Sequence, residues 1–383
     1  MRSEEPAWRK VLRFLQGQWI LAGLGIVILI ASQVQTPTED QDRNQSIVSY
    51  VCVTINFLIY GCTQSTRVMV KTYGRWKVHL FVQLQCFLMA SALMYGVVSL
   101  CATSPSFMDE ALLIGLLVTG CVPTTVASNV VMTRGAKGND ALTIVESTIG
   151  NVLGPFLSPL LIKMYCGAEP WYTEFLSPED GGYGAMYTRV FQKMGLTILL
   201  PMLVGQILQH FFPKAMHKLF IQWKLTKLGP ICIIIIVWQA YDAAFGSDAF
   251  TSVKSSNVIF VVFISIAMYF VWLVISVSAS VAWLSKEDTV AVAYCVPAKS
   301  PATGVLLANL MFTDLTESQM AKVQLPTVIF QGLQVACSSV LVPLFRRWVE
   351  KRVHDLDGLD SEASTLAASD SENGRKEDDR GER

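Results

Sequence analysis

Two ionisable residues, Glu146 and Lys299, fall inside long apolar runs. A charge at membrane depth needs a partner or a role, and an ion pair between the two across a helix bundle would supply the first. Around Glu146, Thr143, Ser147 and Asn151 recur four residues apart and share one helical face. Upstream lie Pro123, Thr124, Thr125, Ser128 and Asn129. Around Lys299 lie Pro297, Ser300, Pro301 and Thr303. Hydroxyl and amide oxygens suit a hard cation or a polar solute. Thr124, Thr125, Ser128, Asn129, Thr143, Glu146 and Ser147 can therefore make one oxygen-rich site, the alternative being a structural hydrogen-bond seam. Gln83, Gln85, Asp242, Gln331 and Gln334 are weaker candidates of the same kind.

The prolines add a second kind of chemistry. Proline removes a backbone donor and breaks a helix. Free backbone groups at membrane depth are tolerated where protein or a cavity satisfies them, and there they can hold an ion or a substrate. Pro123, and Pro297 with Pro301, predict two unwound helices; ordinary kinks are the alternative. No P-loop, Walker pair or zinc-protease motif is present, and the four histidines make no catalytic arrangement. The nine cysteines show no metal-binding spacing. No enzyme and no bound cofactor is expected.

These residues need a membrane scaffold. Of 383 residues, 52% are hydrophobic and 16% charged, against about a quarter charged in soluble domains. The formal net charge is zero, which excludes a strongly basic nucleic-acid binder. A span needs roughly 20 apolar residues. Ten candidates lie near 14–33, 47–65, 79–102, 110–132, 141–165, 190–211, 227–245, 257–284, 288–312 and 322–345. Lys and Arg collect in alternate loops and at both ends, which places both termini in the cytoplasm. A sequon at Asn44-Gln45-Ser46 falls in the first external loop.

Cys-Val-Pro occurs at 121–123 and again at 295–297, in the fourth and ninth candidates. The same offset carries the first span onto the sixth. The expectation is an all-α multi-pass membrane protein of ten transmembrane helices, built as two inverted five-helix repeats with discontinuous crossing helices 4 and 9. Its parts are a cytoplasmic N-terminus (1–13), a first repeat (14–165), an external loop (166–189), a second repeat (190–348) and a disordered acidic cytoplasmic tail (349–383).

The stretch CVPTTVASNVVMTRGAKGNDALTIVESTIGNVLGPFLSP (121–159), with CVPAKSPATGVLLANLMF (295–312), resembles the bile acid:sodium symporter superfamily. The similarity is nearest to its branch of fungal calcium-homeostasis regulators and their vertebrate counterpart in solute carrier family ten. It covers about residues 10–350. The resemblance implies a ten-helix fold with a panel and a core. It implies a secondary transporter of a small solute, with sodium or proton coupling, that restrains calcium entry by transport or by contact with a calcium channel. It also implies a plasma-membrane or Golgi and secretory-pathway location. A sodium ion in such relatives would map onto Ser128, Asn129, Thr143 and Ser147. Where relatives carry a glutamate and a glutamine on span nine, this chain has Pro297 and Pro301, with Lys299 between them. The ammonium can fill the space of a bound cation, which argues against two-sodium coupling and bile acid as the substrate.

Overall fold

The computed structural model describes the backbone of residues 19–36, 38–63, 72, 74–167, 170–176, 182–247 and 249–381. Side chains are described over the same ranges except at 20, 21, 38–46, 127, 182–186 and 352–381. The N-terminal segment 1–13, the Asn44 side chain and the acidic side chains beyond Arg352 lie outside the described residues.

The chain forms α1 (Trp19–Gln33), α2 (Thr38–Thr63), α3 (Trp76–Cys101), α4 (Glu110–Cys121), α5 (Ala127–Gly135), α6 (Asp140–Cys166), α7 (Tyr187–Phe211), α8 (Leu225–Gly246), α9 (Ser255–Ser280), α10 (Lys286–Cys295), α11 (Pro301–Met311) and α12 (Glu317–Gly381). Helix starts are written locally in the sequence. Asp109 accepts from the amides of Ala111 and Leu112, Asn139 from Leu142, and Ser285 from Asp288. Each satisfies amides that a helix start leaves without partners.

Ten crossing helices are not what the described residues form. Six are long and apolar enough to cross a membrane: Trp76–Cys101, Asp140–Cys166, Tyr187–Phe211, Leu225–Gly246, Ser255–Ser280 and Glu317–Lys351. The expectation of ten spans in two inverted five-helix repeats is corrected accordingly. Four further apolar helices are shorter: Ala22–Gln33, Ile47–Thr63, Glu110–Cys121 and Pro301–Met311. The reason is plainest at the expected fourth and ninth spans. Backbone breaks divide them into helices of 12 and 9 residues, and of 10 and 11 residues, each well short of the roughly 20 a span requires.

Two groups of helices pack together. In one, α2 packs on α7 and α8, and α8 on α1. Glycines permit close approach: a Cβ on Gly205 would stand 2.6 Å from the Leu58 carbonyl oxygen. In the other, α4 packs on α3, α6 and α12, and α10 on α6 and α9. Every residue of α4 from Ala111 to Cys121 is buried, which explains its unbroken apolar character. Large apolar side chains such as Leu29, Leu203, Ile259, Phe263 and Val274 point outward, as lipid contact requires.

Candidate functional site

Both helix breaks are built from proline and its neighbours. After α4, Val122 turns extended (φ −76°, ψ 153°) while its amide still donates to the Val118 carbonyl. Pro123 then offers no donor, and α5 begins at Ala127. After α10, Ser300 caps α11 by accepting from the Thr303 amide at 3.4 Å, with Pro301 at the first helical position. The two breaks touch: the Ser300 amide donates to the Pro123 carbonyl at 2.9 Å.

Lys299 sits at this meeting point, 1% exposed. Its Nζ donates to the carbonyls of Cys86 (2.7 Å), Gly120 (3.0 Å) and Val122 (3.1 Å), over the face of Trp272. The three donors of an ammonium are thereby used. Those carbonyls are available for a structural reason. Cys86 lies in a π-helical stretch of α3, Leu84–Met89, where the helical pairing shifts. Gly120 and Val122 lie at the C-terminal end of α4, where carbonyls lack partners and the helix dipole is negative. Gln334 clamps the Lys299 main chain, accepting from its amide at 2.7 Å and donating to its carbonyl at 2.9 Å. Gln331 in turn accepts from the Gln334 amide group.

Glu146 is fully buried and does not pair with Lys299. Its Oε1 lies 2.6 Å from His79 Nδ1, and its Oε2 accepts from Gln83 Nε2 at 2.9 Å. His79 Nε2 lies 3.0 Å from the Thr72 carbonyl. Next to this group, Arg75 donates to Asp288 Oδ2 at 2.6 Å and Asn139 donates to Asp288 Oδ1 at 2.8 Å. The hydrogen bond that Arg75 donates to the Asp288 carboxylate holds its guanidinium above its ordinary pKa. One carboxylate thus ties the starts of α3, α6 and α10.

A neutral network holds the first break. Asn129 Nδ2 donates to Thr124 Oγ1 (2.8 Å) and to the Thr125 carbonyl (2.7 Å). From α6, Ser147 donates to the Thr125 carbonyl (3.2 Å) and Asn151 to the Thr124 carbonyl (3.0 Å). Pro123 packs on Gly154, where a Cβ would come within 2.9 Å of its Cγ. Thr143 stands one turn away and donates to Thr133 at 3.0 Å. Thr303 donates to Ser300 at 3.1 Å. Pro297 is buried at the second break. Thr124, Thr125, Asn129 and Ser147 are therefore brought together, whereas Thr143, Glu146 and Lys299 each meet other partners. The roles of His79 and Gln334 are not evident from residue type alone. The signal for the first was spacing, since His79 and Gln83 are four apart on one face of α3.

Ser128 opens onto a cavity of about 360 Å³ between α1, α2 and α8 on one side and α5, α6 and α12 on the other. Its wall is mostly apolar, with Tyr60, Ile144 and Pro230, and carries Arg134 and Lys227. Arg134 is paired with Asp140 at 2.7 Å.

Residues 18–347 match the SBF-like CPA transporter family. The chain is 33% identical over 397 residues to the solute carrier RCH1 of Candida albicans, covering 95% of each protein. It is 32% identical over 387 residues to the solute carrier RCH1 of Saccharomyces cerevisiae, covering 92% of this chain and 88% of that one. It is 25% identical over 352 residues to the sodium/bile acid cotransporter 7-B of Xenopus laevis, covering 89% of this chain and 95% of that one.

Proposed function

The chain belongs to the SBF-like CPA transporter family, a family of transporters rather than enzymes, and from that premise we propose a secondary carrier for a small organic anion. The single observation that carries this reading is the Lys299 ammonium, seated on three carbonyls where two broken helices meet. A protonated lysine there places a positive charge at the crossing without a bound metal ion. The start of α5, which no side chain caps, lies beside the same crossing and favours an anionic group. The mostly apolar cavity beside Ser128, with Arg134 and Lys227 in its wall, suits an anion with an apolar body. Alternating access would move α3–α6 and α9–α12 against α1, α2, α7 and α8.

In the cell this carrier restrains calcium entry and so takes part in calcium homeostasis. It acts from the plasma membrane or a Golgi or other secretory membrane, with both termini in the cytoplasm. Direct contact with a calcium channel is the second reading, and the likeness to the RCH1 carriers favours transport over it.

Flux in reconstituted vesicles tests the proposal, using a panel of small organic anions with and without a sodium gradient. Accumulation of at least one anion is expected, and it should be lost in Lys299→Ala. The sodium arm tests whether Ser128, Asn129, Thr143 and Ser147 hold a coupling ion. If no anion moves while the chain still lowers calcium influx in cells, the carrier reading fails in favour of channel contact.

A further inference from the structure

We infer that His79 and Glu146 form a buried site for one exchangeable proton, and that this proton is the ion coupled to transport. The second clause rests on the carrier reading above. His79 places Nδ1 2.6 Å from a carboxylate oxygen and Nε2 3.0 Å from a carbonyl oxygen. A carbonyl only accepts, so Nε2 carries a hydrogen. The Nδ1···Oε1 contact needs another, whichever atom holds it. Neutral imidazole and carboxylate together own one hydrogen for two contacts. The geometry therefore contains one proton more than that neutral-and-ionised pair.

Loss of this proton has a defined structural result. It leaves from the Nδ1···Oε1 axis, and the pair passes from net zero to one negative charge. With the remaining hydrogen on Nε2, two lone pairs face each other at 2.6 Å and the contact to Glu146 opens. With the hydrogen on Nδ1, the contact to Thr72 is lost instead. Proton occupancy thus decides whether His79 bridges the segment before α3 to the N-terminal part of α6.

The adjoining face of α6 holds the first helix break, through Ser147 and Asn151. Gln83 links the two: its Nε2 donates to Glu146, and its Oε1 is buried with no donor among the described residues. That oxygen lies toward Gly150, whose missing Cβ would also neighbour Thr124 and Pro123. An acceptor left open between the proton pair and the break is a place for a donor from solute or water. His79 itself is 8% exposed, enough for exchange with water at that end of α3.

Among the described residues, the ionisable groups facing Glu146 besides His79 are Arg75 before α3, Cys86 on α3 and Cys295 on α10. Asp288, at the start of α10, pairs with Arg75. That pair is neutral as a whole, and thiols are ordinarily protonated at neutral pH. Lys299 lies beyond Cys86, on that residue's carbonyl. The count of hydrogens at the two His79 contacts places the exchangeable proton between His79 and Glu146.

The test uses the full chain with His210, His217 and His354 replaced, which leaves His79 as the sole imidazole. Its ring signals are followed by nitrogen NMR as pH rises. One single-proton step is expected, and Glu146→Gln should move it down by about 1–3 pH units. Glu146→Asp should restore a step close to that of the parent chain. In vesicles with an entrapped pH dye, uptake of the transported anion should acidify the lumen, and Glu146→Gln should abolish the acidification. A flat His79 signal, a step unmoved in Glu146→Gln, or anion uptake without acidification overturns the inference and leaves the carrier reading standing. A titrating pair in a chain that moves no anion overturns the coupling clause together with the carrier reading.

Discussion

Glu146 and Lys299 occupy two equally sealed regions that neutralise charge by different means. The carboxylate faces side chains, His79 and Gln83, and one of them can titrate. The ammonium faces main-chain carbonyls, which never lose or gain a proton. In the first arrangement a titratable side chain faces the buried charge, whereas in the second only backbone does. A buried charge held by side chains suits a switch, and one held by helix ends suits a permanent brace for a broken backbone.

Substitutions can break this contrast, beginning with the brace. Lys299→Met should cost about 3–5 kcal/mol, because three buried carbonyls lose their donors together; thermal unfolding in detergent would show it, and an unchanged midpoint would refute the bracing role. At the switch, Glu146→Gln should cost about 2–3 kcal/mol, since an amide keeps the shape and some hydrogen bonding but not the charge. Its stability should depend less on pH than that of the parent chain, and equal pH profiles would count against a titrating pair. Gly154→Ala should cost about 1–3 kcal/mol by pressing a methyl group on Pro123. Its flux should fall while the His79 titration stays in place, which would separate the geometry of the break from the proton site. Asn151→Ala should cost about 1 kcal/mol, with Thr124 and Ser147 carbonyls losing one donor. At the exposed edge, Arg134→Gln should change stability by less than about 1 kcal/mol, because its ion pair with Asp140 faces solvent. A large loss there would mean that the cavity wall matters to folding as well as to solute binding.

Much of the site could be read from residue types. Pro123, Pro297 and Pro301 mark the breaks because proline lacks the donor a helix requires. The polar face of α6 follows from the four-residue spacing of Thr143, Ser147 and Asn151. The number of crossing helices was not legible, because hydropathy continues across a break that divides one apolar run into two short helices.

The sequence by itself determined that the chain is a membrane protein, where its helices break, and that Glu146 and Lys299 lie within apolar runs. Only the tertiary structure decided their partners. Side-chain partners depend on which helical faces meet, and this brings His79 to Glu146 from a distant part of the chain. The partners of Lys299 are carbonyls released by a π-helical turn and a helix end. Every residue owns a carbonyl, so sequence gives no sign of which ones are free until the backbone is folded.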